Sequence, residues 1–174
     1  IRDRDVTGVQ RVLFRSTGAR AGLDGLSSTA FPSGVHTMPV EASEHVGPIT
    51  IWRKELRPYS AGAGKFRGGL GQIMEISPNE GYHFRFNAMF DRCSHPAAGR
   101  NGGLPGAEGN VRLADGTQLR PKGTQEVPAG ARLVLEMPGG GGHGDPTERD
   151  PQLIARDVAH GYITVDEARD VYHH

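Results

Sequence analysis

The sequence predicts a mainly β, α+β fold: an antiparallel β-rich body with glycine-rich loops, closed by a two-helix tail. Three observations predict it. Glycine (26) and proline (12) are well above ordinary usage for 174 residues, while 36% of the chain is hydrophobic, which suits a turn-rich β fold better than disorder. Tyr82, Phe84, Phe86, Ala88 and Phe90 alternate with His83, Arg85, Asn87 and Asp91, the period of a strand with one buried face. Near the end, Asp150-Pro151 and Thr164-Val165-Asp166-Glu167 are helix-opening signals.

The length is enough for one domain or a piece of a larger one. Lys+Arg and Asp+Glu are both 20, so net charge gives no attraction to nucleic acid or an anionic membrane. Cys93 is the single cysteine; it excludes an internal disulfide and fits a reducing, cytoplasmic setting. No apolar run is long enough to span a bilayer, and no secretory signal is visible.

Residues 1–16 fit poorly with the rest of the chain and are read as a non-native or disordered leader. The alternative is a native edge strand through Gln10 to Phe14. Either way, the chain is expected to begin inside a longer protein. Residues 17–146 form the β-rich body. Gly25 to Gly47 reads as polar loop. Ile49 to Leu56 reads as a strand, with Ile49 and Ile51 on one face and Trp52, Lys54 and Leu56 on the other. Ala61 to Gly71 is a glycine-rich turn region, and Leu70 to Ile76 a short strand. Val111 to Ala114 and Thr117 to Arg120 form a hairpin around Asp115-Gly116, a pair suited to a type I′ turn. Thr124 to Val127 and Arg132 to Met137 are the remaining strands. In the tail, residues 147–174, Leu153, Ile154, Ala155 and Val158 give the first helix its apolar face. Ala168, Val171 and Tyr172 do so for the second, and neither helix is long enough to stand alone.

Between the last strand and the tail lies Pro138-Gly139-Gly140-Gly141-Gly142-His143-Gly144-Asp145-Pro146. A run so poor in side chains can approach a neighbour closely, and ordering it costs much entropy; it is either a fixed shape or a flexible linker. Gly139, Gly141 and Gly144 match G-x-G-x-x-G, but Asp145-Pro146 interrupts the helix that a dinucleotide site needs. Gly62-Ala63-Gly64-Lys65 fails as a phosphate loop, because Tyr59 takes the first glycine position and Phe66 replaces the Ser/Thr. The eight histidines include no metal-binding pair such as H-E-x-x-H, and Cys93-x-His95 lacks a second half, so no metal site is expected. Asp91 and His95 could meet locally. Arg53 and Lys54 beside Trp52 read as a solvated face, and Cys93 as buried and inert. His36, among small residues, is either a ligand-directed imidazole or a loop histidine bonded to backbone.

The order of motifs resembles the C-terminal part of the hydantoinase B/oxoprolinase family, from about residue 20 to the end. The resemblance rests on Ser33-Gly34-Val35-His36-Thr37-Met38-Pro39-Val40-Glu41, Trp52-Arg53-Lys54-Glu55-Leu56-Arg57-Pro58, Gly62-Ala63-Gly64-Lys65-Phe66-Arg67-Gly68-Gly69, Gly99-Arg100-Asn101-Gly102-Gly103, and the loop from Pro138 to Pro146. The tail, Asp157-Val158 to Ala168-Arg169, is also similar. His143 stands where many members carry Tyr. The resemblance implies the large subunit of an ATP-dependent hydrolase that opens cyclic amides such as N-methylhydantoin or 5-oxoproline; relatives carboxylate acetone. It implies an ATP-binding hydantoinase A-like partner, with ATP/Mg and a divalent metal bound outside this segment. This chain would then supply part of the active-site wall and subunit interface, and be inactive in isolation. Gly139, Gly140, Gly141 and Gly142 would offer backbone N–H groups to negative charge on an amide oxygen. His36 and Asp145 would orient substrate or water, and His143 would line the substrate site. The rival expectation is a β-rich docking module without chemistry, whose loop only turns the chain.

Overall fold

Antiparallel pairing accounts for every named strand of the computed structural model, which describes residues 16–29 and 39–174. A four-stranded sheet runs in the order β1 (Ile49–Leu56), β2 (Gln72–Pro78), β6 (Leu133–Glu136), β4 (Asn110–Leu113). A separate ribbon pairs β3 (Phe84–Met89) with β5 (Lys122–Val127). Both sheets turn apolar residues into one core. Phe84, Phe86, Ala88 and Val127 of the ribbon pack with Ile51, Met74, Ile76, Val111, Leu133 and Leu135 of the larger sheet. The predicted alternation is therefore observed, with Phe84, Phe86 and Ala88 buried and Tyr82 and Phe90 half-buried at the ends.

Three local expectations are corrected. The first strand does not alternate throughout. Its register slips between Ile51 and Arg53, so Trp52 stands exposed in a bulge and donates Nε1–H to Ser77 Oγ at 2.9 Å, while Lys54 comes opposite Met74. A bulge inserts one residue and flips the faces beyond it. Second, Asp115-Gly116 is not a type I′ turn: only Gly116 has positive φ, at 95°. The Asp115 carboxylate instead accepts the Thr117 N–H at 2.8 Å, a local side-chain turn. The second hairpin arm makes one bridge, Arg112 to Gln118, before Pro121, which has no N–H to offer a ladder.

Third, part of the expected loop before β1 is a helix, α1 (Val40–Val46). It buries none of its residues and has no side-chain N-cap. Its Glu44 accepts the Ile51 N–H at 2.7 Å, which covers a donor on the outer edge of β1.

The tail forms as its caps predict. Asp150 accepts from Gln152 N–H at 2.9 Å and opens α2 (Pro151–Ala159). Thr164 accepts from Glu167 N–H at 2.9 Å and opens α3 (Val165–Asp170), and Glu167 takes a hydrogen bond back from the Thr164 backbone, completing a capping box. Ile154, Ile163, Ala168 and Tyr172 pack on Ala63, so the tail is seated on the glycine-rich region rather than on the sheet. No helix among the described residues is long and apolar enough to cross a membrane.

Candidate functional site

Residues 139–142 are buried and threaded between other segments of backbone. A Cβ would fall on the carbonyl of Ser60 at Gly139, of Thr17 at Gly140, of Ala98 at Gly141 and of Ala63 at Gly142. The run is glycine because main chain surrounds it where side chains would be; this is core packing built from backbone.

The hydrogen bonds follow from that packing. Gly139 N–H donates to Ala107 O at 3.1 Å, Gly140 to Gly69 O at 2.9 Å, Gly142 to Leu104 O at 2.9 Å, His143 to Phe66 O at 2.9 Å and Gly144 to Arg100 O at 3.0 Å. Buried amides must be paired, and these are paired within the chain. They are therefore committed donors rather than an open nest for an anion. The Gly62–Gly69 stretch is committed in the same way: Gly62 donates to Gly140 O, Gly69 to Thr17 O and Lys65 to Gly144 O. It does not fit nucleotide phosphates.

Side chains reappear where the run surfaces. His143 bridges Phe66 on one side and Arg100 on the other, and its ring lies 6.2 Å from that of Phe66. Its Nδ1 is buried without a hydrogen-bond partner among the described residues, and Nε2 lies 3.0 Å from Asn101 Nδ2. Asn101 occupies the turn Arg100–Gly103, with φ of 52° there and 92° at Gly102, closed by Gly103 N–H to Arg100 O at 3.0 Å. Lys65 is exposed nearby and pairs with Glu148 at 2.9 Å. The predicted residue Asp145 caps the following short 3-10 turn, Pro146–Glu148, through Thr147 N–H at 2.9 Å and Oγ1–H at 2.7 Å. The Thr147 hydroxyl and then its N–H hold the Asp145 carboxyl below its ordinary range. His36 lies outside the described residues.

Sequence reasoning missed a buried charge cluster beside this site. Asp157 accepts from Arg67 Nε at 3.0 Å and Arg149 Nη2 at 2.8 Å, and all three side chains are almost fully buried. Arg149 also grips Asp24 with both terminal nitrogens, each at 2.9 Å. The Arg67 guanidinium lies 5.2 Å from the centre of the Tyr162 ring. Burial alone would raise the Asp24 carboxyl, but the Arg149 hydrogen bond and charge, with help from Arg67, hold it below its usual value. Burial pushes Tyr172 up to about 12. The partners are 8 to 125 residues apart, so no local pattern reveals them; the only signal was Arg67 within a stretch otherwise nearly free of side chains.

Other candidates separate. Asp91 pairs with Lys122 at 2.5 Å. Cys93 is partly exposed, not buried, although desolvation still raises its thiol. The solvated face at Trp52 carries an Arg53–Glu55 pair and the Arg132 guanidinium 4.1 Å from the centre of the indole. Among the described residues no group of three His, Cys, Asp or Glu side chains could hold a metal ion.

A glycine-packed core with a polar edge thus adjoins the antiparallel sheet. Residues 2–146 match the family model Hydantoinase B/oxoprolinase, and the chain belongs to that family. It is 31% identical over 164 residues to a protein described as a D-/L-hydantoinase subunit from Pseudomonas sp. (strain NS671), covering 90% of this chain and 27% of that one. It is 30% identical over 185 residues to the beta subunit of the caprolactamase of Pseudomonas jessenii, covering 98% of this chain and 31% of that one. The fold aligns with the crystal structure of the ATP-dependent caprolactamase from that organism at a TM-score of 0.76 and 27% identity, over 91% of this chain and 29% of that one. The chain thus spans under a third of the length of these relatives.

Proposed function

We propose that the chain is part of the large subunit of an ATP-dependent cyclic amide hydrolase, where it forms a rigid section of the active-site wall and of the subunit interface. The observation that carries this reading is its similarity to the caprolactamase beta subunit across 98% of its length. An ATP-binding, hydantoinase A-like subunit is the proposed partner, and a small lactam or related cyclic amide the substrate. A lactam is a poor electrophile; ATP supplies a phosphoryl group that turns the amide oxygen into a leaving group. By the family resemblance, nucleotide and metal chemistry is proposed to lie outside this segment.

What these residues contribute is position. The glycine run fixes the backbone around His143 on both sides, and the side chains at its surface end are proposed to line the substrate site. Preorganisation of this kind holds groups in place at no cost during reaction. The paired N–H groups of Gly139, Gly140, Gly142, His143 and Gly144 favour a second reading, a docking module without chemistry. The experiment is ATP-dependent lactam opening by the complete two-subunit enzyme carrying His143→Ala. The proposal expects a fall in kcat of at least about tenfold with Tm preserved; unchanged turnover favours the docking module.

A further inference from the structure

Given a cyclic amide hydrolase as the proposed function, we propose that Asn101 is the group that recognises the substrate's amide. Cyclic amides of small ring size are locked cis, so their C=O and N–H point to the same side. A primary carboxamide carries the complementary pair, an N–H and a carbonyl oxygen side by side. The two can form a double hydrogen bond in one plane.

The structure holds Asn101 for such a contact. A type I′ turn, with positive φ at both Asn101 and Gly102, lifts the side chain from the site's edge, and Asn is among the few non-glycine residues that tolerate this conformation. The residue is exposed, whereas the ring behind it is half-buried with Nδ1 turned inward. Among the described residues, only Nε2 of His143 meets the carboxamide, at 3.0 Å from Nδ2. One Nδ2–H donates to Nε2, a bond we assign to the hydrogen anti to the carbonyl. The other hydrogen, syn to Oδ1, is left beside that oxygen, which has no hydrogen bond among the described residues. His143 therefore sets the rotation of the amide, and the amide presents donor and acceptor outward. Its neighbour Arg100 is an exposed cation suited to the oxygen end of a polarised amide. The pair reads the substrate N–H as well as its carbonyl, so an N-alkylated lactam is rejected.

The test is an NMR titration of the full 174-residue chain with δ-valerolactam and N-methyl-δ-valerolactam, following the Asn101 carboxamide and the His143 ring nitrogens. The expected result is lactam-dependent shifts at Asn101, at least about tenfold weaker binding of the N-methyl compound, and a His143 ring proton on Nδ1. Asn101→Gly, which keeps the turn because glycine accepts positive φ, loses the binding while Tm stays within a few degrees. Equal binding of both lactams, no shift at Asn101, or a proton on His143 Nε2 (which would commit Oδ1 to the ring) overturns the inference. Lactam opening by the complete enzyme without any response at Asn101 defeats this inference alone. Binding at Asn101 without turnover in the complete enzyme defeats only the broader reading.

Discussion

Asp157 receives two arginines on one oxygen while its other oxygen has no partner among the described residues. Removing its charge would leave Arg67 and Arg149 buried with only Asp24 to balance them. We expect Asp157→Asn to cost about 3–5 kcal/mol, seen as a lower urea midpoint at unchanged slope; an unchanged midpoint contradicts the ion cluster. The pH limbs follow from the same residues. The Asp24 carboxyl is depressed below 3.8, so its contribution is present above that pH and lost as pH falls through the folded value. Asp24→Asn should flatten the acid limb of Tm against pH. Tyr172 is raised from 10.0 to about 12, so its contribution is full below pH 10 and lost between 10 and 12. Tyr172→Phe should remove that alkaline loss, and a loss that persists in the variant contradicts the assignment.

At the scale of elements, what the sequence revealed depended on how local the cause is. Period-two alternation exposed β3, and caps within three residues exposed α2 and α3. Helix α1 stayed hidden because it buries nothing and so has no apolar stripe to read. The bulge at Trp52 and the shortened second hairpin arm depend on cross-strand register, which a single strand does not encode. At the site, the glycine run was legible as special, but its purpose was not. Free N–H groups and paired ones look alike until the carbonyls from Leu104, Ala107 and Phe66 are in place. The core of β3 gives a direct check: Phe84 is fully buried, so Phe84→Ala should lose about 3–5 kcal/mol, whereas exposed Met89→Ala on the same strand should change stability by under about 0.5 kcal/mol. Similar losses at both positions would contradict the assigned face.

In the whole molecule, a conventional two-sheet core adjoins a second core made of backbone, and the tail helices are pinned to the latter through Ala63 and Asp157. This division explains why the polar edge around His143 and Asn101 can be rigid although it lies in loops. Substituting Gly141 does not separate a catalytic loop from a structural one, because a Cβ there meets the Ala98 carbonyl in either case. The central claim, that the run from Gly139 to Gly144 is core, is tested most directly by native-state hydrogen exchange. The amides of Gly139, Gly140, Gly142, His143 and Gly144 are expected to exchange as slowly as those of the central strand β2, through global unfolding. Exchange as fast as at the exposed turn glycines Gly81 and Gly102 would contradict it.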